Sequence, residues 1–304
     1  MKGGIRNQAA SVLERLRTVS RERKEEFQLV LERYTLERLL YRLCLSQHRE
    51  RFVLKGAMLF AVWGREAYRP TRDLDLLGYG ARDPGALAEC FREICETQVP
   101  DDGLVFLTDS FRAEAIRDET EYGGVRVRFK ARMGQARIPV QVDVGFGDAV
   151  VPSPEEAEYP VMLDGPPPRI RMYPREAVVA EKFHALLTLG EATSRLKDIY
   201  DIVVLSEGFP FDGRTLAEAM KATFKSRQTI LPASLPSALA TRFFEDADRA
   251  VQWRAFLNRS RLESTPQDFV VVGERLRAFL WPVVQGVKSQ AGFAWVWPQG
   301  GPWR

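Results

Sequence analysis

Cysteine and histidine are scarce in this chain, and that scarcity removes several chemistries at once. Its 304 residues include three cysteines and two histidines. Cys44, Cys90 and Cys95 form no C-x-x-C pair, and His48 and His184 stand far apart in the chain. A structural zinc site needs a cluster of such ligands, so none is expected. An odd cysteine count without a secretory leader also gives no disulfide framework. A Ser-His-Asp or Cys-His arrangement is poorly supplied. No apolar run reaches the ~18 residues of a membrane span. The opening MKGGIRNQAASVLERL lacks the apolar stretch of a signal peptide. A cytoplasmic protein with no membrane partner is therefore expected. The net charge of +3 is too small to indicate nucleic acid by itself.

Periodicity predicts the element order. Residues 8–48 read as helical, with Val12, Leu13, Leu16 and Val19 and then Leu36, Leu39, Leu40 and Leu43 at helical spacing. An apolar segment with an early glycine covers 53–63. A short strand is expected over 73–77, and a helix opens at Asp83-Pro84 and runs to about Glu96. Strands are expected over 104–107, 125–133 and 138–146. Pro166, Pro167 and Pro168 mark a loop, and Pro174 opens a helix. A further helix covers 194–205, and more helices follow from Asp212. The tail from Gly292, rich in Gly, Pro and Trp, gives no regular signal. Helices, a mixed middle and more helices make an α+β class. The basic residues of the first helix are diluted by Glu14, Glu22, Glu25 and Glu26, so a solvated face is expected there.

Carboxylates carry the chemistry. In Arg69-Pro70-Thr71-Arg72-Asp73-Leu74-Asp75-Leu76-Leu77, strand alternation places Asp73 and Asp75 on one face and Leu74 and Leu76 on the other. Two such acids repel unless a positive charge lies between them. Mg²⁺ or Mn²⁺, completed by substrate phosphates, suits hard oxygen ligands. An isolated D-x-D is more often a pair of solvated acids, so the reading rests on further signals. Asp143 is one, a carboxylate on the polar face of a Val140-Val142-Val144 strand. It is a third ligand or a base toward an attacking hydroxyl. The preceding strand carries Arg126, Arg128, Lys130 and Arg132 on one face. A hairpin turning at Gln135-Ala136 would set Val142 opposite Phe129 and Asp143 opposite Arg128. That cation row could hold a triphosphate or an RNA backbone, or be an ordinary wet sheet face.

Three further segments add to the pattern. Lys55-Gly56-Ala57-Met58-Leu59 is a glycine turn opening a helix, where bare N–H groups can cradle phosphate. Lys182 is the odd member of an apolar stripe of Val178, Val179, Phe183 and Leu186, and either snorkels to solvent or faces phosphate. Asp198 and Asp201 are helical neighbours, with Arg195 placed to pair with Asp198.

Together these segments resemble the AbiEii/AbiGii toxin family of nucleotidyltransferases. The stretches that carry the resemblance are FVLKGAMLF (52–60), RPTRDLDLL (69–77), the Asp143 strand, EKFHAL (181–186) and RLKDIYDI (195–202). The resemblance implies a polymerase β-like nucleotidyltransferase fold, a mixed sheet flanked by helices with a helical C-terminal domain. Residues 1–50 would be N-terminal helices, 51–170 the nucleotidyltransferase core and 171–304 the helical domain. It implies a metal-dependent toxin of a toxin–antitoxin or abortive-infection system. Such a toxin moves NMP from an NTP to RNA, the tRNA 3′ end in some members, and has a cognate antitoxin as partner. Asp73 and Asp75, with Asp143 as third acid, would bind Mg²⁺ or Mn²⁺. Lys182 and Asp198 would complete the catalytic set. Lys55, Gly56, Arg69, Thr71, Arg128, Lys182 and Arg195 would contact the nucleotide. Many members carry a second glycine and a small hydroxylic residue where Ala57 and Met58 stand here. The same carboxylates would also serve a protein or small-molecule acceptor, and a chain without catalysis would act by holding RNA or a partner.

Overall fold

Alternation of apolar and polar residues over 125–146 builds the centre of the sheet. The computed structural model describes residues 8–64, 69–116, 123–190, 195–262, 265–288 and 293–304. They fall into two compact units, one of Met1–Gly147 with Glu155–Met172, the other of Asp148–Pro154 with Tyr173–Arg304.

In the first unit, helices α1 (Gln8–Arg23) and α2 (Phe27–Leu45) precede strand β1 (Phe52–Lys55). The expected single helical stretch is broken between them at Lys24, which has φ +54°. A 3-10 turn (Gly56–Met58) and the short helix α3 (Leu59–Val62) lead toward β2 (Asp73–Gly78). Helix α4 (Pro84–Glu96) starts where the sequence predicts, with Pro84 in its first turn and the Asp83 carboxylate accepting from Ala86 N at 2.8 Å. Strands β3 (Val105–Ile116), β4 (Gly124–Met133), β5 (Ala136–Phe146), β6 (Glu155–Glu158) and β7 (Arg169–Met172) complete the unit. The sheet order is β3-β4-β5-β2-β1-β7-β6, with β2–β5 and β1–β7 parallel and the other neighbours antiparallel.

The buried face of β4 and β5 comprises Val125, Val127, Phe129, Ala131 and Met133 against Ile138, Val140, Val142, Val144 and Phe146. Phe129 stacks on Phe111 at 4.3 Å between centroids. The hairpin register differs from the expected one by two residues. Met133 pairs with Ala136, so the turn is Gly134-Gln135, Val142 faces Val127 and Asp143 faces Arg126. A two-residue hairpin turn needs a positive φ at its first central position, and Gly134 supplies +58°. Because the slip is even, every side chain keeps its expected face.

Two strand assignments also change. β3 extends well past the expected 104–107. Its register shifts between Leu107 and Arg112, and Ser110 bridges the irregularity: its hydroxyl donates to Leu107 O at 2.6 Å and accepts from Lys130 N at 2.9 Å. β6 and β7 are new relative to the sequence reading.

The second unit is mainly helical: α5 (Arg175–Leu189), α6 (Leu196–Gly208), α7 (Gly213–Ser226), α8 (Thr241–Glu245), α9 (Ala247–Ser260) and α10 (Phe269–Lys288). Asp212 and Asp246 cap α7 and α9 by accepting from Thr215 N and Arg249 N, each at 2.9 Å. The tail is not structureless. Strand β9 (Val296–Trp297) pairs with β8 (Phe211–Asp212), and the Trp297 and Trp303 indoles donate to Ser206 O and Phe279 O at 2.7 and 2.9 Å.

His184 lies inside this unit, 4% exposed. Its Nε2 is 3.0 Å from the Thr229 hydroxyl and its ring meets Phe224 edge-on. Burial, reinforced by the nearby Arg227 charge, lowers its pKa from 6.5 to about 4. Between those values the unfolded chain binds a proton that the folded chain refuses, so stability falls as pH falls through the window. Glu37 in the first unit, raised from 4.5 to about 7 chiefly by burial, has the opposite slope. A comparison with His184→Gln therefore isolates the histidine. Urea unfolding from pH 7 to pH 4 should cost the wild type on the order of 2 kcal/mol more than the variant, whereas parallel profiles would show that the ring titrates freely.

Candidate active site

Parallel pairing of β2 with β5 brings the acids together. Asp75 is in register with Asp143 and Asp73 with Gln141, while Leu74 and Leu76 on the other face are fully buried. One carboxylate oxygen from each of Asp73, Asp75 and Asp143 lies within 4.8 Å of the other two, and all three residues are half-buried. On its other edge β2 pairs with β1, which sets Lys55 across from Asp75.

Each acid is fixed by its surroundings. The Thr71 hydroxyl donates to Asp73 Oδ1. Arg126 grips Asp143 with two bonds, Nε to Oδ1 at 2.7 Å and Nη2 to Oδ2 at 2.6 Å. This fork, the strongest common geometry for a guanidinium and a carboxylate, raises the Arg126 pKa. Gln141 Nε2 adds a contact to Asp143 Oδ2 at 3.4 Å.

Gly56 is required twice over. Its φ is +75°, the left-handed region. A Cβ built there would lie 2.0 Å from Asp75 Oδ2 and 2.7 Å from its Cγ. The turn therefore presses bare backbone against the Asp75 carboxylate. Ala57 and Met58 are buried, so Met58 acts as a core side chain in this turn.

The donor set suits a hard divalent cation. Oxygens bound to one Mg²⁺ sit about 2.0–2.1 Å from it, and three carboxylate oxygens within 4.8 Å of one another are the kind of donor set such an ion takes. The Arg126 fork leaves lone pairs on both Asp143 oxygens, since a carboxylate offers about four acceptor directions.

Residues 38–280 match the family described as nucleotidyl transferase AbiEii toxin, a type IV toxin–antitoxin system. The chain belongs to the AbiEii nucleotidyltransferase family. An AbiEii protein is an enzyme of nucleotidyl transfer with a nucleotide substrate, and as a toxin it implies an antitoxin partner. Among solved structures, this AbiEii chain is similar to JHP933 from Helicobacter pylori, at 14% identity and TM-score 0.49 over 88% of this chain and 96% of that one. It is also similar to a candidate nucleotidyltransferase from H. pylori, at 14% identity and TM-score 0.46 over 86% and 97%. No curated protein matches it. No described helix is long and apolar enough to cross a membrane.

The remaining residues named from sequence are placed as follows. Arg69 and Thr71 lie in the irregular stretch leading into β2. Arg128 does not face Asp143 as expected. It donates to Gln141 Oε1 at 3.1 Å and pairs with Glu114 at 2.5 Å, while Arg126 meets the acid. The corrected turn at Gly134 accounts for the exchange, and the positive-φ preference of that glycine was the signal that could have located Arg126.

Lys182, Asp198 and Arg195 gather within the second unit. Lys182 Nζ is 2.7 Å from Asp198 Oδ1 and 2.6 Å from Asp201 Oδ2, and Arg195 Nη1 is 3.7 Å from Asp198 Oδ2. The side chains of Lys182, Asp198 and Asp201 are 13%, 8% and 0% exposed. Lys182 does not snorkel to solvent; two buried carboxylates meet its charge.

Two outcomes follow for the AbiEii chain. Gly56→Ala should lower stability by about 1–3 kcal/mol in chemical denaturation and weaken Mn²⁺ binding in titration calorimetry, by pushing Asp75 aside. An unchanged Mn²⁺ isotherm would show that Asp75 is not displaced. Lys182→Met leaves two buried carboxylates side by side and should cost about 3–5 kcal/mol. Lys182→Met with Asp201→Asn should recover part of that loss, and a simple sum of the single effects would deny the pairing.

Proposed function

We propose that this AbiEii chain transfers a nucleoside monophosphate from an NTP to an RNA acceptor, the tRNA 3′ end, at the Asp73–Asp75–Asp143 site. The observation that carries the reading is the convergence of three carboxylates on adjacent, in-register strands against the bare turn at Gly56. Asp73, Asp75 and Asp143 would hold Mg²⁺ or Mn²⁺, which when bound offsets negative charge on the triphosphate and on the reacting oxygens.

The chain's own residues divide the remaining tasks. The Thr71 hydroxyl orients Asp73, and Gly56 admits Asp75 to its position. Arg126 holds the Asp143 carboxylate in place through its two-bond fork. The Asp143 carboxylate would take the proton of the attacking acceptor hydroxyl. That oxygen bonds to the α-phosphorus, the bond from the α-phosphorus to the bridging oxygen breaks, and pyrophosphate leaves with the electron pair.

The test is incubation of the protein with α-labelled NTPs, total tRNA and Mg²⁺. Label should enter RNA with the wild type and fall at least about 10³-fold with Asp75→Asn, as expected when about 4 kcal/mol of barrier lowering is lost. Equal labelling by the two proteins, or label in protein rather than RNA, would sink the proposal.

A further inference from the structure

The sheet carries more positive charge beside the acids than its folding explains. The register of β3, β4 and β5 sets Arg112, Arg126, Arg128, Lys130, Arg132 and Arg137 on the open face, with Glu114 and Asp143 as the acids in register with them. Those two acids are spoken for by Arg128 and Arg126. Arg112, Lys130, Arg132 and Arg137 remain as exposed excess charge. Among the described residues, no hydrogen bond or ion pair holds the side chains of Lys130, Arg132 or Arg137.

Two pairs within this set oppose like charges directly across a ladder, Arg112 with Arg128 and Arg132 with Arg137. Such pairs weaken a sheet, where opposite charges or apolar residues would strengthen it. The face is therefore built against its own stability for something anionic. Its spacing identifies the class. Alternate residues of one strand lie about 6.8 Å apart, so Arg128, Lys130 and Arg132 form an evenly stepped line of cations. Such a line suits a polymer of regularly repeated single negative charges. The line starts beside Arg126 at the acid cluster and runs away from it along β4. Exposed Pro139 and Val105 flank it.

We propose that this face, defined by Arg112, Arg128, Lys130, Arg132 and Arg137, binds the phosphodiester backbone of the RNA acceptor and leads its end to the carboxylates. The inference rests on the transfer reading for the identity of the polymer. Its test, however, measures binding without any NTP.

The experiment is fluorescence anisotropy of labelled tRNA over a salt series, with the full chain. Asp75→Asn should bind like the wild type. The triple variant Lys130→Gln, Arg132→Gln, Arg137→Gln should bind at least about tenfold more weakly, and its log–log salt slope should be shallower by about 2. Its melting temperature should match or exceed that of the wild type, because a like-charge pair is relieved. Arg132→Lys with Arg137→Lys should keep the affinity, since backbone binding of this kind depends on charge. Wild-type affinity and slope in the triple variant would overturn the assignment. So would wild-type binding of poly-L-glutamate as tight as that of tRNA at the same salt, which would point to an acidic protein. Weakened RNA binding in the triple variant, together with absent RNA labelling by the wild type, would keep this surface and discard the transfer.

Discussion

Mutual repulsion of carboxylates is the constraint around which the first unit is arranged. Three acids held within 4.8 Å of one another repel one another unless positive charge is supplied. The fold supplies part of it through Arg126 on β4, whose fork is set by cross-strand register with Asp143. A cation held by Asp73, Asp75 and Asp143 would supply the rest. The sheet order serves this arrangement. β2 sits between β5, which brings Asp143, and β1, which delivers the Gly56 turn. Moving β2 or β5 by one residue would send its acid to the buried face.

The second unit meets the same difficulty with internal charge. Asp198 and Asp201 lie one helical turn apart on α6, and the Lys182 ammonium from α5 neutralises both at under 3 Å. Burial makes each partner indispensable to the others: removing the lysine strands two charges, whereas removing all three would remove the problem. A cluster of this kind fixes how α5 and α6 align, because ammonium and carboxylates must meet within tenths of an ångström.

Much of this was legible in the sequence because it depends on side-chain periodicity. Asp73 and Asp75 had to share a face once β2 was a strand, and Asp143 had to lie opposite Val142 and Val144. Helix α4 was legible from Asp83-Pro84. What escaped were features set by a single backbone angle or by tertiary context. The hairpin register turned on which residue of Gly134-Gln135-Ala136 takes a positive φ. β6 contains Glu155, Glu156 and Glu158, a poor strand composition, and exists because β7 offers it an edge. The length of β3 was hidden by Thr108-Asp109-Ser110, which breaks alternation; Ser110 lends its hydroxyl to the ladder there. The destination of the Lys182 charge was equally unreadable, since nothing local shows that Asp201 is fully buried.

The aromatic tail has a spectroscopic consequence. Of the six tryptophans, Trp63 alone belongs to the unit that holds the acid cluster, and the other five belong to the helical unit. Trp253, Trp297 and Trp303 are buried there, Trp297 and Trp303 against Phe279. Intrinsic emission therefore watches the helical unit almost exclusively, while circular dichroism watches both. Any separation between the two signals during denaturation would measure how far the sheet and the helices melt as one.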